Sequence, residues 1–548
     1  MSRLLLLLLL LCCAATAVLG QNDSLSSPGG SDPDVDRAIE DLIINVESDE
    51  QVDYTFITDY LEELLKEPLN LNDATRDELI RLPGMSDLLA QALIDYVSNF
   101  GKLTSVYELQ AVPGYRQEVI EGILPYITVE ESRAKDISPG KKHAAGPPLS
   151  ELLNGTRYEL MTRLSWIAEE QAGYSEDTTR TRYLGSQYRS FTRFRARYGQ
   201  NFSIALTGEK DPGEQMRWAP DQKQYGYDLL SGHIAIMNYG PLKRLVIGDY
   251  NMQGGQGLIL SRGLGFGKGA ATITGAKMPN SGLLPYASVN ENQFMRGAAA
   301  TWAFGDVYVT GLFSRLYVDA TVADQDSLTA EVILASGLQL SGLHRTESEL
   351  SNRRSILETI TGGRVEWRRP AFTLGATHYN QQFSSEINRP VNDYNQFDFR
   401  GDRNYVSGLD FDWIVRNFNF FGEVARSRSG GLAGVAGLMG SIAPTVDVSV
   451  VARHYDKDFH SQKAYVFAER PTSAQNETGV YFGLRIAPNP KFEWNSYFDQ
   501  FYFPWNKFGS SYPSYGWEFM TQMDYKPRRG TLLYLRYRTD HKELDADT

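Results

Sequence analysis

Thr75-Arg76-Asp77-Glu78-Leu79-Ile80-Arg81-Leu82-Pro83-Gly84-Met85 and, thirty positions on, Ser105-Val106-Tyr107-Glu108-Leu109-Gln110-Ala111-Val112-Pro113-Gly114-Tyr115 are two copies of one pattern. Each opens with Ser/Thr-x-x-Glu, a capping box in which hydroxyl and carboxylate satisfy orphan amides at a helix start. Each closes on Pro-Gly. Proline cannot continue a helix, and glycine takes the left-handed backbone that a reversal needs. After each turn an apolar period of 3.6 resumes, at Leu88, Leu89, Ala92, Leu93 and Tyr96, then at Val119, Ile120, Ile123 and Leu124. The spacing predicts a small all-α domain of two helical hairpins in tandem.

These residues resemble the helix–hairpin–helix module of ComEA-like competence DNA receptors. The lead-in from Leu69 to Ala74 and the joint Phe100-Gly101-Lys102-Leu103 match that family as well. The family's hairpin typically ends Gly-hydrophobic-Gly, with amides holding a DNA phosphate at a helix N-terminus. Here Ser86 and Arg116 stand at the second glycine; a serine hydroxyl or an arginine can itself meet a phosphate. The resemblance thus nominates Arg81, Pro83, Gly84, Met85, Ser86, Lys102, Pro113, Gly114, Tyr115 and Arg116 as residues facing DNA or a partner protein.

Charge pulls the other way. Over 69–126 four bases face eight acids, a net of −4, whereas nucleic-acid domains usually show a basic footprint. DNA and an envelope or periplasmic protein therefore both stand as partners of the hairpins.

Residues 1–20 read as a cleaved secretory signal: Arg3, an apolar run, then small residues before Gln21. Cys12 and Cys13, the only cysteines, leave with it, so the mature chain has no disulfide or thiolate. A flexible tether spans 21–32, and the acidic and hairpin domain spans 33–128. Between 32 and 67 there are thirteen acids and two bases, with apolar spacing for one helix near Val35 and another from Tyr54 to Leu65. A Pro/Gly-rich linker, 129–149, separates that domain from the remainder, 150–548.

Beyond the linker, helical periodicity gives way to alternation. Val480, Phe482, Leu484 and Ile486 oppose Tyr481, Gly483 and Arg485; Tyr515, Trp517, Phe519 and Met523 oppose Glu518, Gln522 and Asp524. Such segments run for about ten residues and many end in aromatics, as strands crossing a bilayer do. The expected fold is therefore a small all-α tandem helix–hairpin–helix domain followed by a large antiparallel transmembrane β-barrel of about sixteen to eighteen strands. The expected location is the outer membrane, with membrane lipid against the barrel and the hairpins in the periplasm. The polar end 539–548 implies either a soluble tail or strands beyond it, since an open edge in lipid leaves amides unpaired.

Gly254-Gly255-Gln256-Gly257 and the Gly263–Gly269 block lack the spacing of a phosphate loop, and they imply close backbone packing instead. With Gly248-Asp249-Tyr250 they resemble a segment of large Bacteroidetes-type barrels that carry this hairpin domain. The length of 251–296 suggests a segment folded into the lumen. Arg189, Arg193, Arg195 and Arg197 share one face and are expected to line the lumen, either guiding a polyanion or pairing with acids such as Glu159 and Glu209.

Seven scattered histidines form no metal spacing, and no nucleophile elbow occurs. No catalytic residue, metal or cofactor is assigned. Three functions compete: DNA binding and uptake, a periplasmic docking module of a secretion or assembly barrel, and a solute channel regulated by the hairpins. Oligomeric state is open.

Overall fold

The computed structural model describes residues 55–66, 68–129, 155–169, 171–175, 181–199, 201–220, 223–261, 267–291, 294–325, 332–528 and 531–545. The expected signal 1–20, tether 21–32, acidic stretch 33–54, linker 130–149 and His143 lie outside the described residues.

Thr55–Lys66 is a helix that buries Leu61 and Leu64. The hairpins follow as Arg76–Leu79 with Asp87–Phe100, and as the 3-10 turn Val106–Ala111 with Gln117–Ile123. Thr75 and Glu78 make the expected capping box, the Thr75 amide donating to the Glu78 carboxylate at 2.8 Å. The second copy differs. Ser105 Oγ accepts from the Tyr107 amide, while Glu108 accepts from the Thr104 amide at 3.0 Å and from the Thr104 hydroxyl. Gly84 and Gly114 reverse the chain at φ +70° and +85°. A Cβ at Gly114 would stand 3.1 Å from Leu89 Cδ2, so the hairpins pack closest there.

Leu79, Leu109 and Ile123 are fully buried at the centre of this domain. Leu69–Asn70 pairs in parallel with Ile127–Thr128, closing the domain on itself. Asn72 receives the Leu103 amide at 2.8 Å and donates to its carbonyl at 3.0 Å, which ties the lead-in to the joint between hairpins. That is the structural use of the Leu69–Asn72 motif.

The rest of the chain is built around one large, barrel-like, mainly antiparallel sheet, with twenty strands among the described residues, and a separate two-stranded ribbon pairs Arg217–Ala219 with Gln224–Gly226. Sixteen to eighteen were expected. The excess comes from three short strands, Gly282–Pro285, Ala320–Gln325 and Val332–Leu338, which lie beside the main ladder. That ladder steps from Arg157–Ser165 through Arg189–Tyr198 and onward to Thr531–Lys542, each strand antiparallel to the next. Its first and last strands are the most exposed.

The two ends of the sheet are unlike. At one end the strands reverse through tight turns, as at 240–241, 305–306, 370–371, 416–417, 444–445 and 490–491. At the other most connections are longer: 166–188, 211–228, 254–294, 319–355, 388–400 and 456–476.

Polarity is inside out. Leu160, Leu206, Leu374, Leu409, Phe482 and Leu535 stand exposed on the outer face, while Arg364, Glu366, Glu423, Arg453, Asp499 and Glu518 are buried within. Buried ionisable groups persist when paired or hydrogen-bonded: Glu423 is held by backbone amides and the others by opposite charges. Arg364 Nη2 lies 2.8 Å from Asp410 and 3.1 Å from Glu366; Arg453 lies 2.6 Å from Glu477 and 2.7 Å from Asp499.

Candidate functional site

Two inward segments fill the space the sheet encloses. Leu258, Ile259, Leu260, Ala270 and Ala276 of the first, and Phe459, Val466 and Phe467 of the second, pack in one cluster with Tyr379, Phe421, Tyr455 and Tyr481 of the wall. The glycine block explains how the first segment seats. Glu423 accepts from the amides of Gln256 at 2.6 Å and Leu258 at 3.0 Å. The intervening Gly257 has φ +83°, and a Cβ there would lie 2.1 Å from the Tyr465 carbonyl. The loop does clasp an acidic group with its backbone, the carboxyl of Glu423 in the same chain. Lys268 extends the seat, 2.6 Å from both Glu469 and Asp499.

The second segment, 456–476, carried no sequence signal. It touches the first through Tyr465 N to Gly257 O at 3.0 Å and Ser261 N to Lys463 O at 2.9 Å. Only the tertiary pairing makes it visible.

The first segment runs on to the tight-turn end, and there it meets the hairpins. Lys277 Nζ lies 2.7 Å from Asp87, donates to Asn419 at 2.9 Å and contacts Asp412. Arg76 reaches both acids from the other side, 2.6 Å from Asp87 and 2.7 Å from Asp412. All four charged side chains are more than four-fifths buried. Two cations and two carboxylates thus make one closed ionic network across three parts of the chain: hairpin domain, inward segment and wall.

Flanking contacts extend this interface. Arg81 donates to the Ser281 carbonyl at 3.4 Å, and Lys66 stands 3.7 Å from Glu159. Arg116 donates to the Pro444 carbonyl at 3.1 Å and to Asp447 at 3.4 Å. Beside Arg116 a cleft of about 220 Å³ opens, lined by Arg485, Lys491, Phe492 and Lys526.

Both hairpin turns therefore face the sheet, and the nominated residues divide by role. Arg81 and Arg116 make the contacts just described. Ser86, at the second-glycine position, caps the following helix by accepting from the Leu89 amide at 3.2 Å. Gly84, Pro113 and Gly114 are exposed, and Pro83 is half-buried. Lys102 sits on open surface, 3.8 Å from Asp73. Met85 and Tyr115 are core residues, the Tyr115 hydroxyl donating to Met85 Sδ at 3.4 Å. Burial pushes the Tyr115 phenol well above its ordinary pKa. Sequence symmetry placed these two beside the turn but could not say which way they point. Arg76, Asp87 and Lys277 were not nominated, because nothing local distinguishes them from solvated charge.

Of the arginine strip, Arg193 and Arg195 are buried on the inner face, with Arg193 lying 5.4 Å over the Phe191 ring. Arg189 pairs with Glu209 at 3.0 Å and Asp211 at 3.3 Å, and the Arg197 position pairs in register with Arg157. Glu209 takes the partner role expected of it. Glu159 instead meets Lys66 of the helical domain.

Residues 66–128 match the family described as "Helix-hairpin-helix motif". No curated protein matches the chain. Among solved structures, Wzi of Escherichia coli, a carbohydrate-binding outer-membrane barrel involved in group 1 capsule assembly, is 12% identical, covering 94% of this chain and 96% of that one at a TM-score of 0.35. OpdQ of Pseudomonas aeruginosa is 10% identical, covering 65% and 88% at 0.35. The outer-membrane protein OprD of the same organism is 8% identical, covering 71% and 87% at 0.34. At this distance they assign no activity to the chain.

Proposed function

We propose that the chain is a non-enzymatic outer-membrane β-barrel that works as a gated conduit, with its helix–hairpin–helix domain as the gate. The observation that carries this reading is Asp412, which holds Arg76 of the hairpins and Lys277 of the inward segment at once. Undocking the domain removes a partner from the segment that fills the interior, so cap and plug are mechanically coupled.

The outward apolar face suits lipid, and short turns belong to the periplasmic end of such barrels, with longer loops outside. The hairpins dock at the tight-turn end, and this supports a periplasmic position for them. The test is conductance of the full chain in planar bilayers. Wild type should be nearly closed, and Asp412→Arg, which repels both cations, should open discrete channels. Steady conductance by wild type, unchanged in Asp412→Arg, would remove the reading.

A second reading is favoured by the family match over 66–128 and by the resemblance to competence receptors. In it duplex DNA is the ligand that displaces the cap, its phosphates competing with Asp412 and Asp447 for Arg76 and Arg116. Titration of the detergent-solubilised chain with duplex DNA should then show affinity falling steeply with salt. Asp447→Asn should tighten binding and Arg116→Glu weaken it. No binding at low salt removes this reading and leaves the first standing.

A further inference from the structure

At the long-connection end, remote from the hairpins, three connections meet at His344: 211–228, 254–294 and 319–355, the last carrying His344 itself. Asp228 Oδ2 lies 2.6 Å from its Nδ1, Glu291 Oε2 3.9 Å and Glu214 Oε1 4.0 Å. Three carboxylates thus face one ring nitrogen, which can carry a single proton. Glu214, Asp228 and His344 are buried almost completely. Glu291 is also largely buried, and among the described residues its carboxylate accepts no hydrogen bond.

The far side of the imidazole is built differently. Nε2 lies 2.9 Å from Asp319 Oδ2, and the other oxygen of Asp319 accepts from the Arg354 amide at 2.7 Å. A carboxylate fixed by the backbone and bonded to one imidazole nitrogen sets the ring's orientation and makes the other nitrogen a better ligand. Arg353 holds the second oxygen of Asp228 at 3.0 Å, which aims the first at His344.

Tetrahedral zinc with ligands at about 2.0–2.1 Å spaces its donor atoms roughly 3.3 Å apart. The three distances from Nδ1 straddle that value. We propose that His344, Asp228 and Glu214 bind a divalent transition cation of the zinc class, with Asp319 as the orienting group, and that this ion staples two of the long connections together. The donors lie at 214, 228 and 344, so no spacing in the sequence announces them. The site is independent of the gating reading.

The test uses the full chain, carrying no polyhistidine tag, stripped with EDTA, loaded with zinc chloride and freed of excess ion by gel filtration. Wild type should retain about one zinc per chain by mass spectrometry, and His344→Ala almost none. Asp228→Asn keeps shape and removes one donor; it should bind more weakly. Asp319→Asn should bind about 10–100-fold more weakly. Heat-modifiable migration on gels checks that each variant is folded. Wild type holding no more zinc than folded Asp228→Asn or His344→Ala would overturn the proposal. So would retention of calcium without zinc, because imidazole favours transition metals.

Discussion

Arg76 and Asp412 are 336 positions apart in sequence and 2.7 Å apart in space. Arg76 lies on the first hairpin, Asp412 near the end of the strand Gly401–Val415, and Lys277 contacts the same carboxylate. A charge pair taken out of water in this way contributes little when intact, because desolvation offsets attraction. Loss of one member is costly, since the other charge stays buried.

Asp412→Ala should therefore cost about 3–5 kcal/mol, because Asp87 is then left alone to balance two buried cations. Hydrogen–deuterium exchange across 74–89 should accelerate by a hundredfold or more, at about 1.4 kcal/mol per tenfold. Asp73→Ala, which removes the exposed partner of Lys102, should change stability by less than about 1 kcal/mol.

Glu423→Ala leaves the buried amides of Gln256 and Leu258 without an acceptor, at about 1–3 kcal/mol each. Exchange should quicken in 254–261 while the wall strand Phe418–Ser427 stays protected. Equal acceleration in both would mean that Glu423 supports the wall rather than the inward loop.

Leu109→Ala should destabilise the hairpin domain by about 2–5 kcal/mol, because its site is fully enclosed. Tyr115→Phe removes only a hydroxyl donating to sulfur and should cost less than about 1 kcal/mol. Thermal melts followed by circular dichroism would separate the two. Loss of partner binding in a folded Tyr115→Phe variant would restore Tyr115 as a contact residue.

Glu108 carries the pH dependence of the second hairpin. The hydroxyl and then the amide of Thr104 hold its carboxyl below the ordinary value. A folded pKa below the unfolded one gives a contribution that is present above the ordinary carboxylate range and lost as pH falls through the depressed value. Protection of the Thr104 amide should decline on acidification, and Glu108→Gln should flatten that decline.

Local chemistry alone determined a good deal here. Pro-Gly at 83–84 and 113–114, the Thr75–Glu78 box and the 3.6 period forced two hairpins, because capping and left-handed turns are settled within a few residues of chain. Strict alternation along segments such as 480–486 and 515–524 set which side chains face outward, since a strand offers only two faces. Placement across the fold was decided elsewhere. That Met85 and Tyr115 turn inward, that the glycine loop clasps Glu423, and that Arg76, Arg81 and Arg116 press against the sheet all depend on groups hundreds of positions away. A residue's own sequence neighbourhood states its charge and periodicity, but an ion pair exists only where packing has excluded water and brought its partner within reach.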